Sequence, residues 1–198
     1  MLWDEPWQAL DVDGRQQLAL VLEQLRDVAR VPVVLVTHDP GLAFSIAETF
    51  LVLDGGRPAF RGRPLELFAR PVDRFTARFV GLANVYDTAM LEDGPAGSLA
   101  AWLRPRAGPG GIAFGRPELG VGSGAWTGIV RSVRPTPEGL EVTATVGSLP
   151  VALRTPGVPD PAASGSGLSK GTPVRFDVEE RSLRPLGTID PRAGSVGA

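Results

Sequence analysis

Two adjacent carboxylates, Asp4 and Glu5, follow the short apolar run Leu2-Trp3, and the one histidine of the chain, His38, follows a longer apolar run over residues 31–37 (VPVVLVT). A carboxylate at the C-terminal end of a buried parallel strand can hold Mg²⁺ through water, and a second carboxylate beside it can polarise a water for attack. An imidazole ending the neighbouring strand would open onto the same crevice. Taken singly, an Asp-Glu pair also fits solvated surface, and a strand-end histidine also fits a satisfied polar residue. Placed together at the ends of neighbouring strands, the three make a candidate reacting group.

The elements that must position them are readable from periodicity. Between residues 15 and 30, Leu18, Val21, Leu22, Leu25, Val28 and Ala29 repeat at helical spacing, with Asp11 and Asp13 ahead of them as caps. Residues 31–37 predict a strand buried on both faces of a parallel sheet, and Leu2-Trp3 the end of another. A strand, a helix and a second strand make a crossover unit of an α/β fold. A helix is expected over residues 40–48, with Leu42, Ala43, Ile46 and Ala47 facing inward, and a strand over 50–53. Asp54-Gly55-Gly56-Arg57 then supplies the positive φ angles of a hairpin turn. Short helices are expected over 64–70 and 72–80, stopped by Gly81. Beyond Asn84 the texture changes to short runs between Gly, Pro and Ser clusters, at 112–114, 126–133, 140–146, 151–153 and 174–179, which predicts a small β-barrel. Residues 156–167 read as a flexible loop and 187–198 as a frayed tail.

Composition narrows the chemistry. With 198 residues and 43% hydrophobic content, the chain can bury one large core or two small ones. A formal net charge of −2 provides no basic field for phosphate backbones, so nucleic acid is not expected as a partner. The absence of cysteine removes disulfides, thiolate zinc sites and cysteine nucleophiles, and fits a reducing cytosol. No apolar run reaches the roughly 20 residues needed to cross a bilayer. Lys170 is the sole lysine, and with 25 Gly and 19 Pro this arginine-for-lysine usage reads as compositional bias.

The residues Leu2-Trp3-Asp4-Glu5-Pro6-Trp7-Gln8-Ala9-Leu10-Asp11 resemble the Walker B segment and D-loop of ABC transporter ATPases, and Val36-Thr37-His38-Asp39 resembles their switch-histidine loop. That resemblance implies that Asp4 is the metal-side acid, Glu5 the catalytic base and His38 the contact to the γ-phosphate of ATP. It also places Asp11 in the D-loop, which in that family crosses a dimer interface and helps shape the opposite ATP site. Leu53-Asp54-Gly55-Gly56-Arg57, Gly62-Arg63-Pro64-Leu65-Glu66-Leu67-Phe68 and the stretch from Phe75 through Gly81 to Asn84 resemble the closing hairpin, helix and link of the importer branch. Arg116-Pro117-Glu118 and Lys170-Gly171-Thr172-Pro173-Val174 resemble the TOBE domain, an oligonucleotide-binding-like barrel. The fold implied is a partial P-loop-type nucleotide-binding domain over residues 1–83, a TOBE-like β-barrel over 84–186 and a flexible tail over 187–198.

The chain also departs from that family. No glycine-rich loop ending in Gly-Lys-Ser/Thr is present; the nearest run, Gly165-Ser166-Gly167-Leu168-Ser169-Lys170-Gly171, lacks that ending and sits among predicted barrel strands. The LSGGQ signature is absent, Trp3 and Trp7 stand where aliphatic residues are usual, and Gln8 replaces a serine. A triphosphate therefore has no cradle, and negligible catalysis is expected of this polypeptide alone. A truncated or frame-shifted gene, a misplaced start, or a separately encoded half would each account for the fragment.

The resemblance implies an importer ATP-binding subunit that, when complete, couples hydrolysis of Mg²⁺-bound ATP to solute uptake. Molybdate or sulfate is the favoured solute, with iron, polyamine and sugar importers as alternatives. Transmembrane permease subunits are its implied partners, together with a second ATP-binding subunit in a homodimer or a missing N-terminal half, at the cytoplasmic face of the membrane. The alternative is a non-enzymatic regulatory module whose barrel senses solute, an oxyanion in particular. An unrelated hydrolase finds no support, since no Gly-x-Ser-x-Gly elbow is present.

Overall fold

In a computed structural model that describes residues 1–120, 124–155 and 168–187, the opening apolar residues form strand β1 (Leu2–Asp4). It pairs in parallel with β2 (Val34–Val36), in the register Leu2↔Val34, Trp3↔Leu35 and Asp4↔Val36. Between them runs helix α1 (Val12–Asp27), which begins three residues earlier than its apolar spacing predicts because Asp11 caps it, accepting the Gly14 N–H at 2.8 Å. It also ends earlier than residue 30. The N–H groups of Val28 and Ala29 converge on the Gln24 carbonyl, and Arg30 turns the chain at φ 55°. Val28, expected on the inner face, is accordingly exposed.

The prediction that residues 31–37 form a strand buried on both faces is corrected in two ways. Only Val34–Val36 pair, and burial alternates: Trp3 and Leu35 are half-buried, whereas Leu2, Val34 and Val36 on the other face are 71%, 59% and 48% exposed. Among the described residues the sheet has two strands, and one of its faces is uncovered. Helix α2 (Pro40–Ile46) follows, and the Arg26 guanidinium donates to the Ile46 carbonyl at 3.1 Å, tying the ends of α1 and α2. Trp7, Leu22, Ala43 and Phe50 are buried here, with Phe44 edge-on to Phe50 at 5.0 Å. The buried indole N–H of Trp7 has no hydrogen-bond partner among the described residues.

Strands β3 (Phe50–Asp54) and β4 (Arg57–Gly62) form the expected hairpin, with Gly55 and Gly56 at φ 55° and 78°. Two compact units emerge, Met1–Leu51 with Arg61–Pro64, and Val52–Phe60 with the described residues from Leu65 onward. In the second unit, α3 (Pro64–Ala69) closes on buried Leu67, and α4 (Arg74–Phe79) starts with a reciprocal capping box. The Asp73 carboxylate accepts the Thr76 N–H while the Thr76 hydroxyl accepts the Asp73 N–H. Gly81, at φ 85°, ends α4 as expected.

The rest of the second unit is antiparallel β-structure around one apolar core. A three-stranded sheet runs β12-β6-β5, from β5 (Asn84–Tyr86), β6 (Gly111–Phe114) and β12 (Arg184–Leu186). A five-stranded sheet runs β10-β9-β8-β11-β7, from β7 (Leu119–Gly120), β8 (Trp126–Thr136), β9 (Gly139–Val146), β10 (Leu149–Arg154) and β11 (Pro173–Phe176). This sheet curls until its two edges meet: Glu118, beside β7, bridges to Arg154 of β10, whose N–H bonds the Pro117 carbonyl at 3.0 Å. Tyr86, Phe114, Leu149, Leu153 and Phe176 are fully enclosed between the strands.

The strand-only expectation is departed from at two helices and one strand end. Helices α5 (Thr88–Glu92) and α6 (Leu99–Leu103) are single turns capped by Asp87 and Ser98, too short to show periodicity. The run 174–179 stops pairing at Phe176, because the Asp177 carboxylate turns to accept the Ala125 N–H at 2.6 Å. The loop predicted over 156–167 and all but the first residue of the predicted tail lie outside the described residues.

Candidate functional site

Because β1 and β2 run in parallel with Asp4 level with Val36, the residues that follow each strand leave the sheet side by side. The Glu5 N–H continues the ladder to the Val36 carbonyl at 2.9 Å, after which Glu5 takes φ 44°. A positive φ is uncommon for a residue with a Cβ and persists where the surrounding structure holds it. It swings the Glu5 carboxylate across to the end of β2.

There Glu5 meets three donors. Its Oε1 accepts the His38 backbone N–H at 2.9 Å and lies 2.8 Å from His38 Nδ1, and its Oε2 accepts the Thr37 hydroxyl at 3.4 Å. The Thr37 oxygen in turn accepts the Asp39 N–H at 3.1 Å, which closes the turn that carries the histidine. The Glu5 side chain is about a quarter exposed and that of His38 three-quarters exposed, so the carboxylate is shielded beneath an imidazole open to solvent.

The structure therefore joins Glu5 and His38 directly and sets Asp4 one residue away, exposed at the end of β1. Asp11 is elsewhere: its carboxylate is occupied in capping α1. Thr37, quoted in the sequence only as part of the turn that carries the histidine, also belongs to the cluster. The signal that could have found it is a hydroxyl immediately before a strand-end histidine. Among the described residues no group of three or more His, Cys, Asp or Glu side chains forms a metal cage. Asp4 fits Mg²⁺ in the other way that ion is commonly held, by one or two carboxylates with the remaining positions left to phosphate and water.

A second polar region lies in the other unit, where a cleft of about 550 Å³ is lined by Arg116, Glu118, Glu138, Glu141, Arg154 and the Thr155 side of β10. Its cations are already engaged. Arg116 pairs with Glu141 at 3.2 Å, Arg134 also bonds Glu141, and Arg154 pairs with Glu118 at 3.1 Å. The Arg134 hydrogen bond, with help from Arg116, holds the Glu141 carboxyl below its ordinary range against a smaller opposing effect of burial.

No family model matches the chain. Among curated proteins it is similar to the Fe(3+) ions import ATP-binding protein FbpC of Streptomyces coelicolor, 35% identical over 119 residues, covering 53% of this chain and 34% of that protein. It is 33% identical over 157 residues to the spermidine/putrescine import ATP-binding protein PotA 1 of Pseudomonas aeruginosa, covering 78% and 40%. It is 34% identical over 108 residues to the sulfate/thiosulfate import ATP-binding protein CysA of Thermosynechococcus vestitus, covering 54% and 32%. The chain thus spans about a third of the length of the curated relatives it matches, and those relatives are ATP-binding subunits of ABC importers.

Proposed function

We propose that this chain is the C-terminal part of the ATP-binding subunit of an ABC importer, contributing the water-activating side of an ATP site that other polypeptide completes. The contact between Glu5 and His38 at the ends of adjacent parallel strands carries this reading. Asp4 is assigned to Mg²⁺, which when bound would neutralise charge on the phosphates. Glu5 orients and deprotonates the attacking water, and the exposed ring of His38 faces the terminal phosphate. Asp11, which caps α1, belongs to the loop directed at a second ATP-binding subunit.

These residues include no glycine-rich phosphate cradle, and phosphoryl transfer is almost wholly positioning and electrostatics. The grip on ATP is therefore assigned to a polypeptide that carries that loop and the signature motif. The uncovered face of Leu2, Val34 and Val36 supports this, since parallel sheets are ordinarily covered on both sides. Permease subunits in the membrane are the further partners, which places the chain on the cytoplasmic side of the membrane as a peripheral subunit. Among the described residues no helix is long and apolar enough to cross a membrane. Ferric iron, a polyamine or sulfate, the solutes named for the relatives, is the class of cargo proposed for the assembled importer. The barrel takes a structural and regulatory part. Arg116 and Arg154 are held by glutamates, so no oxyanion site is assigned to its cleft.

Mg²⁺-ATP turnover tests the reading. The purified chain alone should show none, and mixing it with the N-terminal two-thirds of a relative's subunit should restore it. In the mixture, Glu5→Gln should lower the rate by about 10²–10⁴-fold, the usual contribution of a general base. Turnover by the chain alone, or a mixture indifferent to Glu5→Gln, would refute it.

A further inference from the structure

We infer that Arg116–Glu118 is a salt-sensitive latch on the β-rich unit: a short strap clasped by two crossed ion pairs, whose release joins the two clefts it divides. The strap is anchored at both ends. At its root the Gly115 carbonyl accepts the buried Asn84 amide at 2.7 Å, and beyond it Leu119 and Gly120 pair with Phe176 and Arg175 of β11. Between these anchors, among the described residues, its backbone meets β10 at the bridge Glu118↔Arg154, where the Arg154 N–H donates to the Pro117 carbonyl at 3.0 Å. Pro117 has no N–H of its own to add.

Side chains supply the clasp. The strap carries a cation and an anion two residues apart, and the sheet offers the reverse pair, Glu141 and Arg154, opposite each other in the β9 and β10 register. Arg116 reaches Glu141 at 3.2 Å, and Arg154 reaches Glu118 at 3.1 Å. A strap displaced by two residues would set like charges face to face, so the clasp closes in one register. Arg134 also holds Glu141, so that carboxylate keeps a partner when the strap leaves.

Salt can reach this clasp. The Glu118 and Arg154 side chains are 55% and 56% exposed, and exposed ion pairs are individually weak. Their surroundings are firmer: the Ala152 N–H is held by buried Asn84 and Leu153 is fully enclosed, so release stops at the strap. Clefts of about 450 and 550 Å³ share Gly115, Arg116, Glu118 and Arg154 as a common wall, which release removes. Gly81, where α4 hands over to the β-rich unit, lines the larger cleft and puts the latch beside that link.

The experiment is backbone amide hydrogen exchange of the full chain, read by NMR at about 0.01 M and 1 M KCl, between which the screening length falls from about 30 Å to about 3 Å. In the wild type the Arg154 N–H should exchange roughly tenfold faster at high salt, the combined worth of two exposed ion pairs, while the Ala152 N–H stays within about twofold. The double variant Arg116→Gln with Glu118→Gln should exchange Arg154 at the fast rate already at low salt, with no further response. A salt-independent Arg154 N–H in the wild type, a double variant that keeps the wild-type response, or an Ala152 N–H that accelerates in parallel would each overturn the inference. It concerns the β-rich unit alone, so a failed turnover test leaves it standing.

Discussion

Replacing Asn84 tests how the β-rich unit is held together. The side chain is buried at 2% exposure, and both ends of its amide bond backbone groups from distant parts of the chain. Nδ2 donates to the carbonyls of Gly115 at 2.7 Å and Ala152 at 2.9 Å, and Oδ1 accepts the Ala152 N–H at 2.7 Å. The Tyr86 hydroxyl approaches Oδ1 at 3.3 Å while donating to the Pro150 carbonyl at 2.7 Å, and burial pushes that phenol's pKa well up. Asn84→Ala removes three backbone hydrogen bonds at about 1 kcal/mol each and strands their partners, so the expected loss is about 3 kcal/mol or more. For a chain of this size that lowers the melting temperature by roughly 6–12 °C.

Asn84→Asp separates the bonds from the packing. A carboxylate there can still accept the Ala152 N–H but must face two carbonyl oxygens, so its folded-state pKa is raised. The variant should be least destabilised below the unfolded aspartate value of about 3.9, and should lose stability as pH rises from there toward the folded value. Thermal melts followed by tryptophan fluorescence across pH would measure both effects. An Asn84→Ala loss below about 1 kcal/mol, or an Asn84→Asp stability profile parallel to wild type, would show that water substitutes for the amide.

Gly111, at φ 116°, has the Tyr86 carbonyl where a Cβ would go, so Gly111→Ala should cost about 3 kcal/mol or more in a denaturant melt and reduce soluble yield. Glu141 is held in its charged form chiefly by the Arg134 hydrogen bond, so its contribution is present above the ordinary carboxylate value of 4.5 and fades as pH falls through the lower folded value. Glu141→Gln should therefore be slightly less stable than wild type at pH 7, by at most about 1 kcal/mol, and indistinguishable from it in acid. Val34→Thr with Val36→Thr, on the uncovered sheet face, should leave the melting temperature nearly unchanged while raising the concentration at which the chain stays monodisperse in light scattering.

The candidate site was legible because its two ends sit in local strings of residues. Asp4-Glu5 after one apolar run and His38 after another need parallel pairing in the right register to meet; the crossover pattern predicts the parallel pairing, and the structure supplies the register. Thr37 was not legible, because its bond to Glu5 exists only once the register is set and Glu5 has turned through a positive φ. Burial of β2 was misjudged for a related reason. Whether Val34 and Val36 are covered depends on which polypeptide lies over them, and a run of seven residues does not carry that information. The bonds of Asn84 reach partners 31 and 68 residues away, beyond any local pattern. The single-turn helices α5 and α6 escaped because one capped turn has no period to detect.

Strand β10 ends its sheet, a position whose open backbone groups ordinarily invite another chain to add on. Here the outward groups are claimed in turn: the Pro150 carbonyl by Tyr86, Ala152 by the Asn84 amide and the Arg154 N–H by the Pro117 carbonyl. A side-chain amide thus stands in for a neighbouring strand but cannot itself be extended, so ribbon growth between molecules has no template along this border. Loss of that amide would leave the Ala152 N–H and carbonyl open on this border, the kind of vacancy a strand from another molecule can fill.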